Sequence, residues 1–534
     1  MSLSALVRQG STWKLLRPQF CRSGGRCVVR AASSDASSDV KSKLKDAELL
    51  KTDCFVGGEW TGAESGETMP VYNPATNEVV ANVPVGGAKE TSRAISAAAD
   101  AFPGWKAKTA KERGSILRKW YDLVVEASDD ISSIMTAECG KPFAEAKAEC
   151  VGGAGSIEWF AEEGRRIQGD VLETVNPSIR FLTTKSPVGV VGAITPWNFP
   201  MSMITRKVSP ALAAGCTVVL KPAEVTPLTA LSLAELGRRA GIPAGVLNIV
   251  VGDAPAIGDT LIASDTVRKI GFTGSTGVGK KLAAGAADTV KRVSLELGGN
   301  APFIIFDDAD VETAAQMTVS SAFRNAGQTC ICANRIFVQE GIRSQFVEAI
   351  TAVVNGLKLG SGFDEGVTMG PLISPKQRDR VHELVKEAVS KGAKPTTGGG
   401  IPNLGGKLDQ GYFMQPTVLD NATLDMKVYK EEIFGPAMPI ITFKQDKDAI
   451  KMANDTEYGL AAYFWTKDLA RAFKAAEQLD YGMVGINEQA ITSEIAPFGG
   501  IKHSGVGREN SKYGLEEFLQ LKTLVMGVGY NKTL

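Results

Sequence analysis

At 534 residues the chain exceeds what one hydrophobic core serves, so two or three domains are expected. Its 59 basic and 59 acidic side chains cancel, which excludes the charge footprint of a nucleic-acid binder or an anionic-membrane binder. No apolar run reaches the roughly 18 residues a membrane span needs, and eight scattered cysteines, two histidines and no C-x-x-C pair suit a reducing compartment and argue against zinc or another metal site.

Residues 1–34 stand apart. They carry Arg8, Lys14, Arg17, Arg22, Arg26 and Arg30, several serines, and no acid before Asp35. Such a start reads as an organelle transit peptide, with the mitochondrial matrix favoured over the plastid; its arginines interrupt the apolar centre a secretory signal would need. Residues 35–50 are polar and charged and read as a linker. The folded part is expected to begin near Cys54, with a hairpin around Gly57-Gly58. Residues 88–136 are rich in Ala, Lys and Glu with apolar spacing near 3.6, which predicts two helices broken at Pro103-Gly104. Gly140-Lys141-Pro142 ends that region, and a further helix runs to about Arg166. Beyond 179 the pattern becomes strand, turn, helix. Strands are predicted at 188–194, 217–221, 246–251 and 268–272, with a helix over 228–240. A similar series recurs at 301–306, 335–339 and 438–443. Short apolar strands alternating with helices predict parallel sheets, hence an α/β fold with a second α/β domain.

The chemistry is placed in Phe323–Arg335, where Cys330 and Cys332 are separated by Ile331 alone. A thiolate is the useful nucleophile, and neither His382 nor His503 is near in sequence. A carboxylate is therefore the expected base, and Glu296, alone in an apolar, Gly-rich stretch, is the candidate: burial would raise its pKa toward neutrality. A buried structural cysteine is the competing reading. Asn198 sits in the rigid loop Thr195-Pro196-Trp197-Asn198-Phe199-Pro200, where its amide either donates to a developing oxyanion or caps the chain. The glycines of 271–279 lie between a strand and a helix, either as a phosphate-binding turn or as a plain βα turn. Lys221 and Glu224 close a strand at its carboxyl end, where they could hold ribose hydroxyls.

Over nearly all of residues 50–534 these pieces resemble the NAD(P)-dependent aldehyde dehydrogenase superfamily. The carrying motifs are TPWNFP at 195–200, KPAE at 221–224, GFTGST at 271–276, LELGG at 295–299, GQTC at 327–330, EEIFGP at 431–436 and PFGG at 497–500. Within that superfamily the runs FRNAGQTCICANR and WNFPMSMITRKV are most similar to the succinate-semialdehyde dehydrogenase branch. The resemblance implies NAD-dependent oxidation of succinate semialdehyde to succinate, a step of γ-aminobutyrate degradation. Another semialdehyde or aliphatic aldehyde is the nearest alternative, and a catalytically silent structural member a more distant one. By the same resemblance Cys330 is the nucleophile, Asn198 and the Cys330 N–H the oxyanion hole, Glu296 the base for thioester hydrolysis, and Lys207 a proton-transfer or cofactor-positioning lysine. Trp197, Lys221, Glu224, Gly274, Ser275, Glu432 and Phe434 are implied to contact the cofactor. Arg206 and Arg324, with Ser493 as a third contact, are implied to hold a substrate carboxylate. The implied fold has a Rossmann-type cofactor domain (50–165 and 188–298), a catalytic domain (299–515) and a β oligomerisation arm (166–187 and 516–534). A homodimer or homotetramer is expected. Finally, a Cys330–Cys332 disulfide would close a small strained ring, and such bonds are labile. Together with the same pair in some relatives, this predicts a redox switch.

Overall fold

The computed structural model describes residues 36–529. The segment 1–34 read as a transit peptide lies outside the described residues, as does 530–534 of the expected arm. Where a linker is expected at 35–50, the described residues 36–50 are folded: Ala36–Ser42 is an α-helix and Ala47–Leu49 a 3-10 turn. Val40 and Leu49 are buried. The Asp130 carboxylate accepts the amides of Lys45 and Asp46 at 2.9 Å each, and Ser232 donates to the Leu49 carbonyl at 2.8 Å. Distant partners dock the segment, so nothing in its local pattern announces it.

The helical region also departs from expectation. Ala88–Ala107 runs on through Pro103, and the breaks fall at Thr109 and Ala127, giving Ala88–Ala107, Ala110–Glu126 and Ser128–Cys139. The buried Trp105 pins the last turn of the first helix by donating to the Leu212 carbonyl at 3.1 Å. Thr109 and Glu112 form a capping box that starts the next.

The first sheet has eight strands. Its centre is five parallel strands in spatial order Arg292–Glu296, Val267–Thr273, Val190–Ile194, Thr217–Lys221 and Leu247–Ile249. Numbered along the chain this is 5-4-1-2-3, a doubly wound order whose switch point lies between Val190–Ile194 and Val267–Thr273. The strands are apolar on both faces because helices cover both; Val191, Val218, Leu220 and Ile270 are all buried. The hairpin Cys54–Val56 and Glu59–Thr61 forms one edge, and Gly505–Val506 the other, antiparallel to Leu295-Glu296.

The second sheet has seven strands in the order Lys394–Thr397, Thr417–Asp420, Ala437–Phe443, Ala333–Gln339, Ala301–Ile305, Ala461–Trp465 and Met483–Ile486. All but the first run parallel. Phe303 stacks on Trp465 at its centre, with centroids 4.5 Å apart. A small antiparallel sheet joins Val171–Leu172, Ile179–Pro187 and Leu519–Gly527. Among the described residues, no helix is long and apolar enough to cross a membrane.

Candidate active site

The carboxyl ends of the first sheet meet the amino ends of the second across a cavity of about 450 Å³. From the first sheet come the turns after three strands: Pro196, Trp197 and Asn198; Gly274 and Ser275; Leu297 and Gly298. From the second come residues that precede strands: Cys330, Glu432 and Phe434. The cavity lies at the topological switch point, where doubly wound sheets bind ligands.

The loop carrying Cys330 is strained and tightly held. After the helix Val311–Phe323 the chain turns through Asn325 and Ala326, both left-handed at φ 51° and 54°. The Asn325 N–H donates to Glu145 Oε2 and the Asn325 side-chain amide to the Asn198 carbonyl, both at 2.9 Å. Gln328 donates to the Asn325 carbonyl at 2.9 Å and accepts the Ile373 N–H at 2.9 Å. Asn198 Nδ2 donates to the Gln328 carbonyl at 2.9 Å, so the amide already points into this loop, with one N–H left over. Its Oδ1 is buried without a partner. Gly299 lies against the loop, and a Cβ there would come within 2.2 Å of the Cys330 carbonyl oxygen.

The expected thiolate character of Cys330 is not found. Burial pushes the thiol up, and the charges of Glu432 and Glu296 push it further, while Arg206 pulls it down. Spacing along the chain carries no measure of burial, and burial is the larger effect here. Cys332 is pushed up to about 12 by burial. Both thiols are free. Cys330 opens on the main cavity, whereas Cys332 opens on a second cavity of about 230 Å³ lined by Arg324, Thr329 and Tyr463.

Glu296 is buried, and its Oε2 has no hydrogen-bond partner. Burial holds its carboxyl well above the ordinary range, the Glu509 charge adds to this, and Lys207, Arg508 and Arg206 oppose it. Lys207 Nζ bonds Thr273 Oγ1 and Glu509 Oε1, and Glu509 Oε2 is again without a partner. Glu509 was not picked out by sequence reasoning. Its only signal is an acid shortly after PFGG, in Gly507-Arg508-Glu509-Asn510.

Of the expected cofactor contacts, Trp197, Gly274, Ser275, Glu432 and Phe434 line the cavity. Ser275 precedes the helix Thr276–Ala287 without capping it through its side chain, which leaves first-turn amides available to an anion. Glu432 accepts the Gly299 amide at 2.9 Å, and burial raises its carboxyl to about 7. Gly298 permits that approach, since a Cβ would lie 2.8 Å from Glu432 Oε2. Phe434 is left-handed at φ 53° and meets Trp197 edge-on at 5.6 Å. Gln377 and Arg380 hold this strained segment: Gln377 donates to the Phe434 carbonyl at 2.7 Å, Arg380 to those of Ile433 at 2.8 Å and Glu432 at 2.9 Å. Both line the cavity and were also missed, because they reach it from the helix Pro375–Ser390. Lys221 and Glu224 do not line it. They pair with each other at 2.6 Å; burial would raise Glu224, and Lys221 outweighs this and holds it below the ordinary range.

Of the expected carboxylate contacts, Arg324 lines the second cavity, and Arg206 and Ser493 line neither. Arg206 Cζ lies 4.5 Å over the Phe498 ring, and its Nη1 is buried without an acceptor. Arg324 is exposed, with Cζ 4.9 Å over the Phe199 ring. Ser493 donates to Glu494 Oε2 at 3.2 Å.

The aldehyde dehydrogenase family profile matches residues 60–524. A mitochondrial succinate-semialdehyde dehydrogenase of Oryza sativa subsp. japonica is 52% identical over 513 residues, 96% of each chain. A glutarate-semialdehyde dehydrogenase of Pseudomonas putida is 53% identical over 91% of this chain and 100% of its own. A crystal structure described as an NADP dependent enzyme of E. coli superposes with TM-score 0.89 at 52% identity, covering 91% of this chain and 100% of that one.

Proposed function

Because the chain belongs to the aldehyde dehydrogenase family of NAD(P)-dependent oxidoreductases, we propose that it oxidises succinate semialdehyde to succinate with NAD. Cys330 Sγ adds to the aldehyde carbon as its proton leaves to water in the cavity, forming a thiohemiacetal. Asn198 Nδ2 and the Cys330 N–H receive the oxyanion. A nicotinamide cofactor held by Trp197, Gly274, Ser275, Glu432 and Phe434 would supply the hydride acceptor, and the product left on this chain is a thioester on Cys330. Glu296 then takes a proton from the water that hydrolyses it, and Lys207 with Glu509 supplies a route for that proton.

The observation that carries the substrate reading is Arg206. A buried guanidinium nitrogen without an acceptor, close enough to Cys330 to lower its pKa, suits a carboxylate at the far end of a short aldehyde. Arg324 and Ser493 are assigned the same ligand. The Pseudomonas putida relative favours a second reading, in which the substrate is glutarate semialdehyde, longer by one methylene. NAD is preferred because the Glu224 carboxylate would accept from a ribose 2′-hydroxyl and repel a 2′-phosphate. The NADP dependent E. coli structure makes this a property to be measured in each member.

The first sheet with its helices is assigned to cofactor binding and the second to catalysis. The small sheet is assigned to association with a second copy: Leu521, Leu524, Val525 and Met526 are exposed on it. The basic, acid-free segment 1–34, and a rice relative described as mitochondrial, support the matrix as its location. The test is kcat/KM for succinate semialdehyde, glutarate semialdehyde and propanal, each with NAD and NADP. Succinate semialdehyde with NAD should rank first; propanal matching it would end the carboxylate reading.

A further inference from the structure

We infer that the helix Phe143–Glu163, with Lys141 just before it, positions the two halves of the reacting site. It does so through three charged side chains that never touch substrate. Lys141 and Glu149 form an ion pair whose side chains are 1% and 0% exposed. Lys141 Nζ donates to Glu149 Oε2 at 2.5 Å and to the Asn198 carbonyl at 2.8 Å, and lies 4.2 Å over the Phe199 ring. Glu149 Oε1 accepts the amides of Met201 at 2.9 Å and Ser202 at 3.1 Å. One pair therefore grips the loop 198–202 at both ends. The amides it takes open the helix Ser202–Ala214, which has no side-chain cap of its own and carries Arg206 and Lys207.

Glu145, one turn earlier on the same face, accepts the Asn325 amide of the Cys330 loop. Asn325 then donates back to the Asn198 carbonyl that Lys141 also holds. The contacts close a ring: helix to Asn198 loop, Asn198 loop to Cys330 loop, Cys330 loop to helix. Burying two charges is costly, and apolar side chains of the same size fill such space at less cost. What this pair supplies that an apolar pair cannot is a donor for one carbonyl and an acceptor for two amides. The register of Asn198 against Cys330 is what those contacts set.

The inference rests on the reading that Cys330 and Asn198 carry the reaction. It is tested with Lys141→Met/Glu149→Gln, which removes both charges at near-constant volume. Misplacing a catalytic group by about 1 Å costs roughly 100-fold. Single-turnover NADH formation should fall by about that factor, while NAD affinity by fluorescence titration, melting temperature and the alkylation rate of Cys330 by iodoacetamide stay near wild type. In an Asn198→Ala background the same double change should cost little more, because the amide being positioned is gone. Glu149→Gln alone, which keeps the Lys141 donor and one acceptor for the two amides but loses the Oε2 carboxylate that fixes the ammonium, should lose less turnover than the double change, with NAD binding intact. Wild-type turnover in either folded variant, or a full further loss on top of Asn198→Ala, would overturn the inference. So would loss of fold in both, which would mark the pair as structural only. A wild-type enzyme that turns over no aldehyde would defeat the underlying reading instead.

Discussion

Two buried lysine–carboxylate clusters flank the Asn198 loop, built from the same residue types and opposite in one respect. Around Lys141 and Glu149 the bonding is complete: the ammonium has a carboxylate and a carbonyl, and both Glu149 oxygens are filled. Around Lys207 it is not, since Glu296 Oε2 and Glu509 Oε2 are buried with no partner. A satisfied buried network rigidifies its surroundings, whereas unfilled polar atoms are costly and mark places where a ligand, a water or a proton belongs. Burial and charge alone would rank the two clusters together. Hydrogen-bond completeness separates a scaffold from a site of chemistry.

The largest expected effect is on the incomplete cluster. Glu296→Gln should lower steady-state turnover by about 1,000-fold, within the range for general bases, yet keep a burst of NADH, because thioester formation precedes its hydrolysis. Stopped-flow absorbance would show this; loss of the burst as well would place Glu296 before the thioester. The carboxylate is the active form and its pKa is raised, so wild-type turnover should climb with pH above the ordinary carboxylate range. Burial is the first cause of that shift and Glu509 the second, so Glu509→Gln should move the limb to lower pH.

Stability should separate the clusters the other way. Glu149→Ala leaves the Lys141 charge buried and unpaired, which costs about 3–5 kcal/mol. Glu509→Ala should cost less, because Glu296 is at hand to ionise beside Lys207. Equal losses in denaturant melts would erase the distinction. Arg206 repeats the incomplete pattern, and Arg324 is its exposed counterpart. Arg324→Ala should raise KM for succinate semialdehyde by roughly 10- to 100-fold, the value of a charge-assisted bond, and leave propanal unchanged.

A third lysine–carboxylate pair, Lys221 with Glu224, is partly exposed, and its contribution should be correspondingly small. Glu224→Ser should narrow the NAD-to-NADP ratio of kcat/KM by roughly tenfold or less; an unchanged ratio would detach Glu224 from the ribose. The smallest effect concerns Cys332→Ala, which should be nearly silent under reducing conditions. In mild peroxide the wild type should lose activity and regain it with dithiothreitol, whereas this variant should lose it irreversibly. The two thiols open on different cavities, so the bond requires the Thr329–Cys332 turn to remodel. Identical, reversible loss in both proteins would end the switch.

Short-range features were legible in the sequence. The strand Thr217–Lys221 and the helix Leu228–Ala240 fall where local apolar patterning put them, because a pattern of buried positions over a few residues is itself the cause of such elements. The Gly-rich turns, the rigid Asn198 loop and the candidate base were visible as local chemistry. Long-range features were not. The docking of 36–50, the course of the chain through Pro103 and the closing of the first sheet by Gly505–Val506 all depend on partners far along the chain. The same holds for the site. Asn198 meets Gln328 across 130 positions and Lys207 meets Glu509 across 302, and no local window contains both members. The upward push on the Cys330 thiol lies outside the sequence for the same reason: residue types indicate which groups can ionise, but only the packed structure decides how much water each keeps and which charges it faces.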